Sequence, residues 1–206
     1  MFYLTRFAQE VIATDLYLAD GWEESADSSM LVDPGAHWPF IWDPTRLRVE
    51  DMNALALDLP DESVSGVFSS SSIEHFGDRE DVAKSLDEAW RVLRPGGILS
   101  VSTEFRLEGD RPGIPGALLF DEEDISSVFL GDRKWSLIEP FDQSVSPATW
   151  ASRAPFLDVA EDQHRQVERL GGLWTHHVTY ARYPHIVLEH MGRTFASFHL
   201  ALRKDS

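Results

Sequence analysis

Two aspartates and a run of serines occupy the positions in this sequence that are best suited to chemistry. Each follows a short apolar segment, and the three groups are Asp15, Asp51 and Ser69 to Ser72. A continuous apolar segment that ends in an acid is typical of a buried parallel strand whose carboxyl end meets a ligand crevice. There, one carboxylate can accept hydrogen bonds from both hydroxyls of a ribose, and another can accept one from the amino group of adenine. The pattern predicts a site for an adenosine-bearing cofactor, either S-adenosylmethionine or NAD.

The segments that would hold these residues are short, as expected of strands in an α/β sheet. The strand candidates are residues 11–14, 47–50, 64–69 and 98–102. Asp78 is a good N-cap for a helix that ends near Arg94, where Pro95 and Gly96-Gly97 stop it. The apolar residues of this helix share one face: Val82, Leu86, Ala89, Trp90 and Leu93. Residues 64–102 therefore form a strand–helix–strand unit, which makes a right-handed parallel crossover.

The rest of the chain is predicted to hold shorter or looser elements. Residues 2–9 are predicted as the end of a helix, and 104–119 as a mobile loop because they are rich in glycine and proline. Residues 185–203 are predicted as an antiparallel hairpin that turns at Met191-Gly192. The remaining candidates are a helix over 122–130 capped by Asp121, a strand over 135–139, and a helix over 159–170 closed by Gly171-Gly172.

Composition narrows the classes of protein to consider. The 206 residues include 35 acidic and 18 basic side chains, a formal charge of −17, which disfavours nucleic acid and anionic membrane surfaces as partners. There is no cysteine, which excludes disulfides, thiolate nucleophiles, iron–sulfur clusters and cysteine-based zinc sites. The first ten residues lack the apolar stretch of a signal peptide, and no stretch is long enough to span a bilayer. We expect a cytoplasmic protein with no nucleic-acid and no membrane partner.

The spacing of the motifs resembles a known family. These motifs are Asp51, Leu59-Pro60, the strand 64–68, the segment Ser71-Ser72-Ile73-Glu74-His75-Phe76 and the helix ending in Arg91-Val92-Leu93-Arg94-Pro95-Gly96-Gly97. Together they resemble the class I S-adenosylmethionine-dependent methyltransferases, in particular the branch that acts on small molecules. The resemblance covers residues 11–103. It is most specific in the Leu-Arg-Pro-Gly-Gly segment, which speaks against an NAD-dependent oxidoreductase.

The resemblance implies a fold and a division of the chain. The fold is α/β, with a Rossmann-like, mostly parallel sheet, helices on both faces and a C-terminal antiparallel hairpin. We expect a single methyltransferase-like domain over 1–206. Its regions are a cofactor-binding half over 1–103, a variable cap or substrate region over 104–180, and the hairpin over 181–206.

Carried over by position, the resemblance also implies a set of cofactor-binding residues. Asp15 resembles the acid that binds the ribose, with Leu16 as its apolar neighbour against adenine. Asp51 resembles the acid on the adenine amino group, with the backbone of Met52 beside it. The residues that resemble the lining of the methionine end are Ser70 and Ser71. The alternative is that the two aspartates are turn residues bonded to their own backbone, and that the serines are ordinary loop residues.

Two departures from the family pattern affect what we expect of this chain. An acid usual near the start of the family's fourth strand is absent, because Val64 and Ser65 stand at that place. The family's first strand and glycine loop would lie before residue 2, whereas the first glycine here is Gly21. We therefore expect an N-terminally truncated sequence that lacks this first strand, with impaired methyl transfer. The alternatives are a decayed enzyme or a non-catalytic nucleotide-binding or interaction domain derived from a methyltransferase.

The catalytic residues stay unassigned by the sequence. His75 follows a strand near the expected position of the methyl group and could act as a base, but we interpret it as a packed or surface histidine. Four more histidines lack metal-ligand spacing, so no metal is expected: His176, His177, His185 and His190. The function that we predict is methyl transfer from S-adenosylmethionine to a small-molecule acceptor. The acceptor and the oligomeric state are left open.

Overall fold

The structure is a computed structural model of the chain, and it describes residues 1–19, 27–38, 40–169 and 187–206. The chain divides into two compact units, Met1–Pro60 and Asp61–Ser206. The expected single domain with three regions stays a prediction. In the described ranges, no helix has the length and apolarity required to cross a membrane.

The first unit is built around one pair of parallel strands. Strand β1 (Val11–Asp15) pairs with β2 (Leu47–Asp51) in a register that places Asp15 opposite Asp51. The predicted N-terminal helix is a short 3₁₀ helix, Phe2–Arg6, without a side-chain cap, and two more 3₁₀ helices follow at Ser28–Leu31 and Pro34–His37. The core of the unit is aromatic and consists of Phe2, Tyr17 and Met30, packed by Trp38 and Trp42 among others.

The second unit contains a mixed sheet. Its members are β3 (Val64–Ser70), β4 (Leu93–Glu108), β7 (Trp135–Leu137), β8 (Ala154–Pro155), β9 (Leu188–His190) and β10 (Arg193–Lys204). The order is β3-β4-β10-β9-β8, and β7 also pairs with β10. Strands β3 and β4 are parallel, whereas β10 runs antiparallel to β4, β7 and β9. The α/β class and the antiparallel hairpin are confirmed, and the antiparallel pairs of this sheet all involve β10.

Helix α1 (Arg79–Val92) joins β3 to β4, as predicted. The side chain of Asp78 accepts hydrogen bonds from the backbone N–H groups of Glu80 and Asp81, at 2.8 and 3.0 Å. Strand β4 begins at once after the helix. Gly96 has φ of +79°, and a side chain at Gly97 would lie 2.8 Å from a backbone oxygen. The two glycines are therefore required by the sharp reversal of the chain.

The prediction of a mobile loop over 104–119 is wrong. Strand β4 continues to Glu108, and β5 (Gly113–Ile114) pairs with β6 (Ala117–Leu118) in a small hairpin, which we call the 113–118 hairpin. Inward-facing residues alternate along β4 through Phe105, and β10 pairs with it as far as Glu108. Pairing with the long antiparallel strand β10 stabilises the second half of β4, which the glycines and prolines in the sequence did not indicate.

Two helical segments of the second half agree in place with the predictions but differ in form, and a third, α3, was not predicted. Helix α2 (Glu122–Asp124) follows Asp121 and continues as a π-helical segment over Ile125–Leu130. Helix α3 covers Pro147–Ala151, and α4 covers Phe156–Arg169, beginning three residues before the predicted start. The predicted stop at Gly171-Gly172 lies outside the described residues. The core beside α1 includes Leu86, Val101, Phe120, Phe129 and Leu200.

The hairpin turn gives a first prediction. Met191 and Gly192 form a two-residue loop in which both φ angles are positive, +49° and +74°, as in a type I′ turn. Methionine tolerates positive φ poorly, and its side chain here is 60 % exposed. We expect Met191→Asn to raise the free energy of unfolding by about 0.5–1 kcal/mol, because asparagine favours this conformation. Urea unfolding measures the change; Met191→Val, which strains the same turn, should lower the free energy.

Candidate functional site

The two predicted aspartates lie side by side at the carboxyl ends of β1 and β2. They are register partners. Oδ1 of Asp15 accepts a hydrogen bond from the N–H of Leu16 at 2.8 Å, and Oδ1 of Asp51 accepts one from the N–H of Leu18 at 2.9 Å. Both carboxylates thus bind the backbone of the same turn, which follows β1. Both residues are also exposed to solvent.

The other two predicted residues of this unit, Leu16 and Met52, lie beside the aspartates in the chain. The N–H of Met52 donates to the backbone oxygen of Asp15 at 2.9 Å, so this donor is already engaged. The side chain of Met52 is buried, and Leu16 is half-buried. Burial, followed by the charge of Asp15, raises the pKa of the neighbouring Tyr17 phenol above its ordinary value, so the ring is neutral beside the carboxylate.

The hydrogen bonds of the two aspartates have different implications. The bond from the N–H of Leu16 to Asp15 joins adjacent residues, as expected if Asp15 is only a turn residue bonded to its own backbone, and it requires no ligand. The bond from Leu18 to Asp51 joins residues 33 positions apart and positions the turn over β2. The structure therefore brings four predicted residues together: Asp15, Leu16, Asp51 and Met52. Their role in binding a cofactor stays a prediction.

The two predicted serines lie in the other unit, at the end of β3. The hydroxyl of Ser102 donates to Oγ of Ser70 at 3.1 Å, and the N–H of Ser71 donates to the backbone oxygen of Ser102 at 2.9 Å. Ser71 has φ of +48°, an uncommon value for a residue other than glycine. Both serines are exposed. The role of the two serines in lining a cofactor site stays a prediction, as does the alternative of ordinary loop residues.

A cluster that the sequence did not reveal lies just beyond these serines. Glu74 is 3 % exposed, and its Oε2 accepts a hydrogen bond of 2.6 Å from the hydroxyl of Thr103 on β4. His75, which follows it, bonds through Nδ1 to the backbone oxygen of Gly116 at 2.6 Å. Glu104 is next to Thr103 and accepts a weak bond from Ser197 at 3.2 Å. The sequence signals only His75, because each partner lies 29 or more residues away.

Glu104 gives a second prediction. Burial, and then the charge of Glu74, raise the pKa of its carboxyl above the ordinary value, although the bond from Ser197 and the nearby His75 oppose the shift. A carboxyl with a raised pKa in the folded state contributes stability below its ordinary pKa, and this stability is lost as pH rises through the shifted value. We expect Glu104→Gln to stabilise the protein at pH 7 and to change little at pH 4. Unfolding by urea at both pH values measures this; equal effects at the two would contradict it.

A cleft lies elsewhere in the second unit. It has a volume of about 920 Å³, and Trp90, Pro95 and Lys204 are among the residues that line it. Lys204 is buried and donates to the backbone oxygens of Trp90 and Leu93 at 2.9 and 2.8 Å, so it caps the end of α1. None of the predicted site residues lines this cleft. Lys204 therefore stabilises the fold at this cleft, and the predicted site residues lie elsewhere.

The protein has an α/β fold, and two carboxylates lie side by side at the carboxyl ends of its parallel strands. In this class of fold, ligands bind at those strand ends. Residues 3–101, just under half of the chain, match the methyltransferase domain family. The match agrees with the resemblance that the motifs of residues 11–103 carry. The family is one of S-adenosylmethionine-dependent methyltransferases.

The relatives agree with this assignment. A curated "Probable S-adenosylmethionine-dependent methyltransferase" of Mycolicibacterium smegmatis is 42 % identical over 62 residues, 30 % of this chain and 23 % of the relative. The chain thus spans about a quarter of the length of the curated relative that it matches.

Solved structures show the same fold. Phosphoethanolamine N-methyltransferase 2 of Haemonchus contortus, in complex with S-adenosyl-L-methionine, has a TM-score of 0.54 at 15 % identity, over 98 % of this chain and 45 % of that one. The [4+2]-cyclase SpnF has a TM-score of 0.55 at 20 % identity, over 98 % of this chain and 69 % of that one. At these identities the likeness concerns the fold alone.

Proposed function

We propose that this chain binds S-adenosylmethionine and transfers its methyl group to a small-molecule acceptor. The observation that supports the proposal is the register of β1 and β2, which places the carboxylates of Asp15 and Asp51 side by side. They lie within the segment that matches the methyltransferase family. Two adjacent carboxylates at strand ends suit a ligand that presents hydroxyl and amino donors from one adenosine group.

The residues present fit such a group. We assign Asp15 to the ribose hydroxyls and Asp51 to the adenine amino group; each has one oxygen engaged by the turn, which fixes the direction of the other. Leu16 supplies apolar contact to the adenine and Met52 lies beside it. The assignment of the methionine end to Ser70 and Ser71 stays a prediction of the sequence resemblance, since these serines lie in the second unit. When bound, S-adenosylmethionine supplies an electrophilic methyl group, and the protein orients the acceptor and excludes water.

Calorimetric titration with S-adenosylhomocysteine tests this proposal. We expect a dissociation constant in the micromolar range for the 206-residue chain, and no heat with NADH at the same concentrations. Circular dichroism and a cooperative unfolding transition establish that the sample is folded. A folded chain that gives no heat with S-adenosylhomocysteine would overturn the proposal.

A second candidate function is a non-catalytic nucleotide-binding or interaction domain. It is kept because a shared fold does not set the reaction: the [4+2]-cyclase SpnF has this fold as well. The two candidates differ in turnover. Release of S-adenosylhomocysteine from S-adenosylmethionine in the presence of amine, phenol and carboxylate acceptors supports methyl transfer, whereas binding without release supports the second candidate.

A further inference from the structure

The sheet of the first unit is small and thinly covered. Among the described residues of this unit, the sheet consists of β1 and β2, paired over five residues each. Parallel strands are normally covered on both faces, but in these two strands Ala13 alone is buried. A sheet of two strands is marginally stable by itself and requires further strands or a packed helix for independent stability. The helices described in this unit are 3₁₀ helices of four or five residues, which cover little of it.

The cores of the two units differ in the same sense. The buried members of the first core are Phe2, Tyr17 and Met30, each 7 or 8 % exposed. The second core is completely shielded at many positions, and the residues with 0 % exposure include Val82, Val101, Phe120, Phe129 and Leu202. Stabilisation by burial scales with the apolar area that is removed from water. The first unit therefore has less free energy to keep it closed than the second.

The aspartates at the strand ends add a local cost. Asp15 and Asp51 are register partners, and like charges that lie opposite each other on neighbouring strands destabilise the pair. One oxygen of each carboxylate accepts a bond from the turn after β1. A ligand that donates hydrogen bonds to both carboxylates joins the end of β1 to the end of β2 and offsets this repulsion.

We propose that the first unit opens and closes while the second unit stays folded, and that a bound adenosyl group keeps it closed by joining β1 to β2. The part that concerns the ligand rests on the proposed function. In the open form the two carboxylates are no longer register partners, so the ligand binds the closed form and shifts the equilibrium toward it. The stability of the first unit thus sets part of the affinity, in addition to the contacts of the ligand itself.

Hydrogen exchange of the full chain, followed by mass spectrometry at pH 7 without ligand, tests the opening. We expect the backbone amides of β1 and β2, corrected for their intrinsic rates, to exchange at least about 100-fold faster than those of β4 and β10. The reason is that each amide exchanges through the opening of lowest free energy that exposes it. Equal protection of the four strands would overturn the proposal, because it would show that the chain opens as one body.

Two buried threonines, one in each unit, provide matched variants, since both Thr5 and Thr103 are 0 % exposed. The hydroxyl of Thr5 donates to the backbone oxygen of Phe2 at 2.7 Å and accepts from the N–H of Asp43 at 2.9 Å, whereas that of Thr103 donates to Glu74. Thr5→Val should speed the exchange of β1 and β2 about tenfold, because it leaves buried backbone groups without partners. Thr103→Val should leave this exchange within about twofold. If Thr103→Val speeded β1 and β2 as much as β4, the two units would open together and the proposal would be wrong.

Exchange in the presence of S-adenosylhomocysteine tests the role of the ligand. At about 100 times its dissociation constant, the ligand should slow the exchange of β1 and β2 about 100-fold, because it binds only the closed form. Binding that calorimetry detects but that leaves the exchange of these strands unchanged would overturn this role. A folded chain that gives no heat would instead overturn the proposed function, and the exchange of the unliganded chain would still show whether the first unit opens by itself.

Discussion

Replacing Asp51 by alanine is expected to weaken the binding of S-adenosylhomocysteine about 100-fold. The substitution removes the carboxylate assigned to the adenine amino group, and hydrogen bonds to charged groups contribute about 1.5–3 kcal/mol each. It also frees the N–H of Leu18, so that the turn after β1 loses its bond to β2. Since 1.4 kcal/mol corresponds to a factor of ten, the two losses give an effect of this order. Isothermal titration calorimetry measures it directly.

Two matched variants locate the cause of the loss. Asp51→Asn keeps an oxygen that can accept from Leu18, but it directs an amide donor toward the adenine amino group, so we expect binding to stay weak, by about tenfold or more. Asp58→Asn removes an exposed carboxylate from the same unit and is expected to change affinity less than twofold. If Asp51→Ala bound as tightly as the unchanged chain, the assignment of the two carboxylates to the adenosyl group would be wrong.

Replacing Arg79 by methionine is expected to lower the free energy of unfolding by about 3–5 kcal/mol. Asp124 is 1 % exposed, and its carboxylate accepts bonds from Nε and Nη2 of Arg79 at 2.6 and 2.8 Å. The guanidinium also joins the start of α1 to the last residue of α2, 45 residues further on. Methionine keeps much of the stem but leaves the buried carboxylate with only the N–H of Asp121 at 3.0 Å and the more distant Arg111 at 3.9 Å. Urea unfolding at pH 7 measures the loss.

The control for this variant is an ion pair at the surface of the same helix. Lys84 bonds to Asp81 at 2.8 Å, but its side chain is well exposed, and such pairs contribute little to stability. Lys84→Met should therefore change the free energy of unfolding far less than Arg79→Met does. If both variants lost the same free energy of unfolding, the burial of Asp124 would not be the cause of the loss in Arg79→Met.

A second ionic group beside this pair makes the region sensitive to acid. Burial tends to raise the pKa of Asp121, but bonds from Arg111, the N–H of Asp124 and Arg106 outweigh it and hold the pKa well below its ordinary value. A depressed pKa gives stability that is present above the ordinary value and lost as pH falls through the shifted one. The clamp formed by these side chains, which anchors the chain between β4 and α2, is thus strongest at neutral pH.

Features that depend on neighbouring residues could be predicted from the sequence. Asp78 and the spacing of Val82, Leu86 and Ala89 indicate α1 because capping and a 3.6-residue period act within one helix. Met191-Gly192 indicates the turn of the C-terminal hairpin for the same reason. The acids at the ends of β1 and β2 were found because an apolar strand that ends in a carboxylate is a local pattern.

Other features depend on residues that are far apart in the chain, and only the tertiary structure shows them. The length of β4 follows from its pairing with β10, about 90 residues later, which outweighs the glycines and prolines beyond it. The bond of His75 to Gly116, that of Glu74 to Thr103 and that of Arg79 to Asp124 join residues 29 to 45 positions apart. Residue type and spacing thus predicted the helix, the turn and the paired aspartates. Folding decided which carboxylates are buried and that Nδ1 of His75 bonds to Gly116, because burial and hydrogen-bond partners arise only when distant segments pack together.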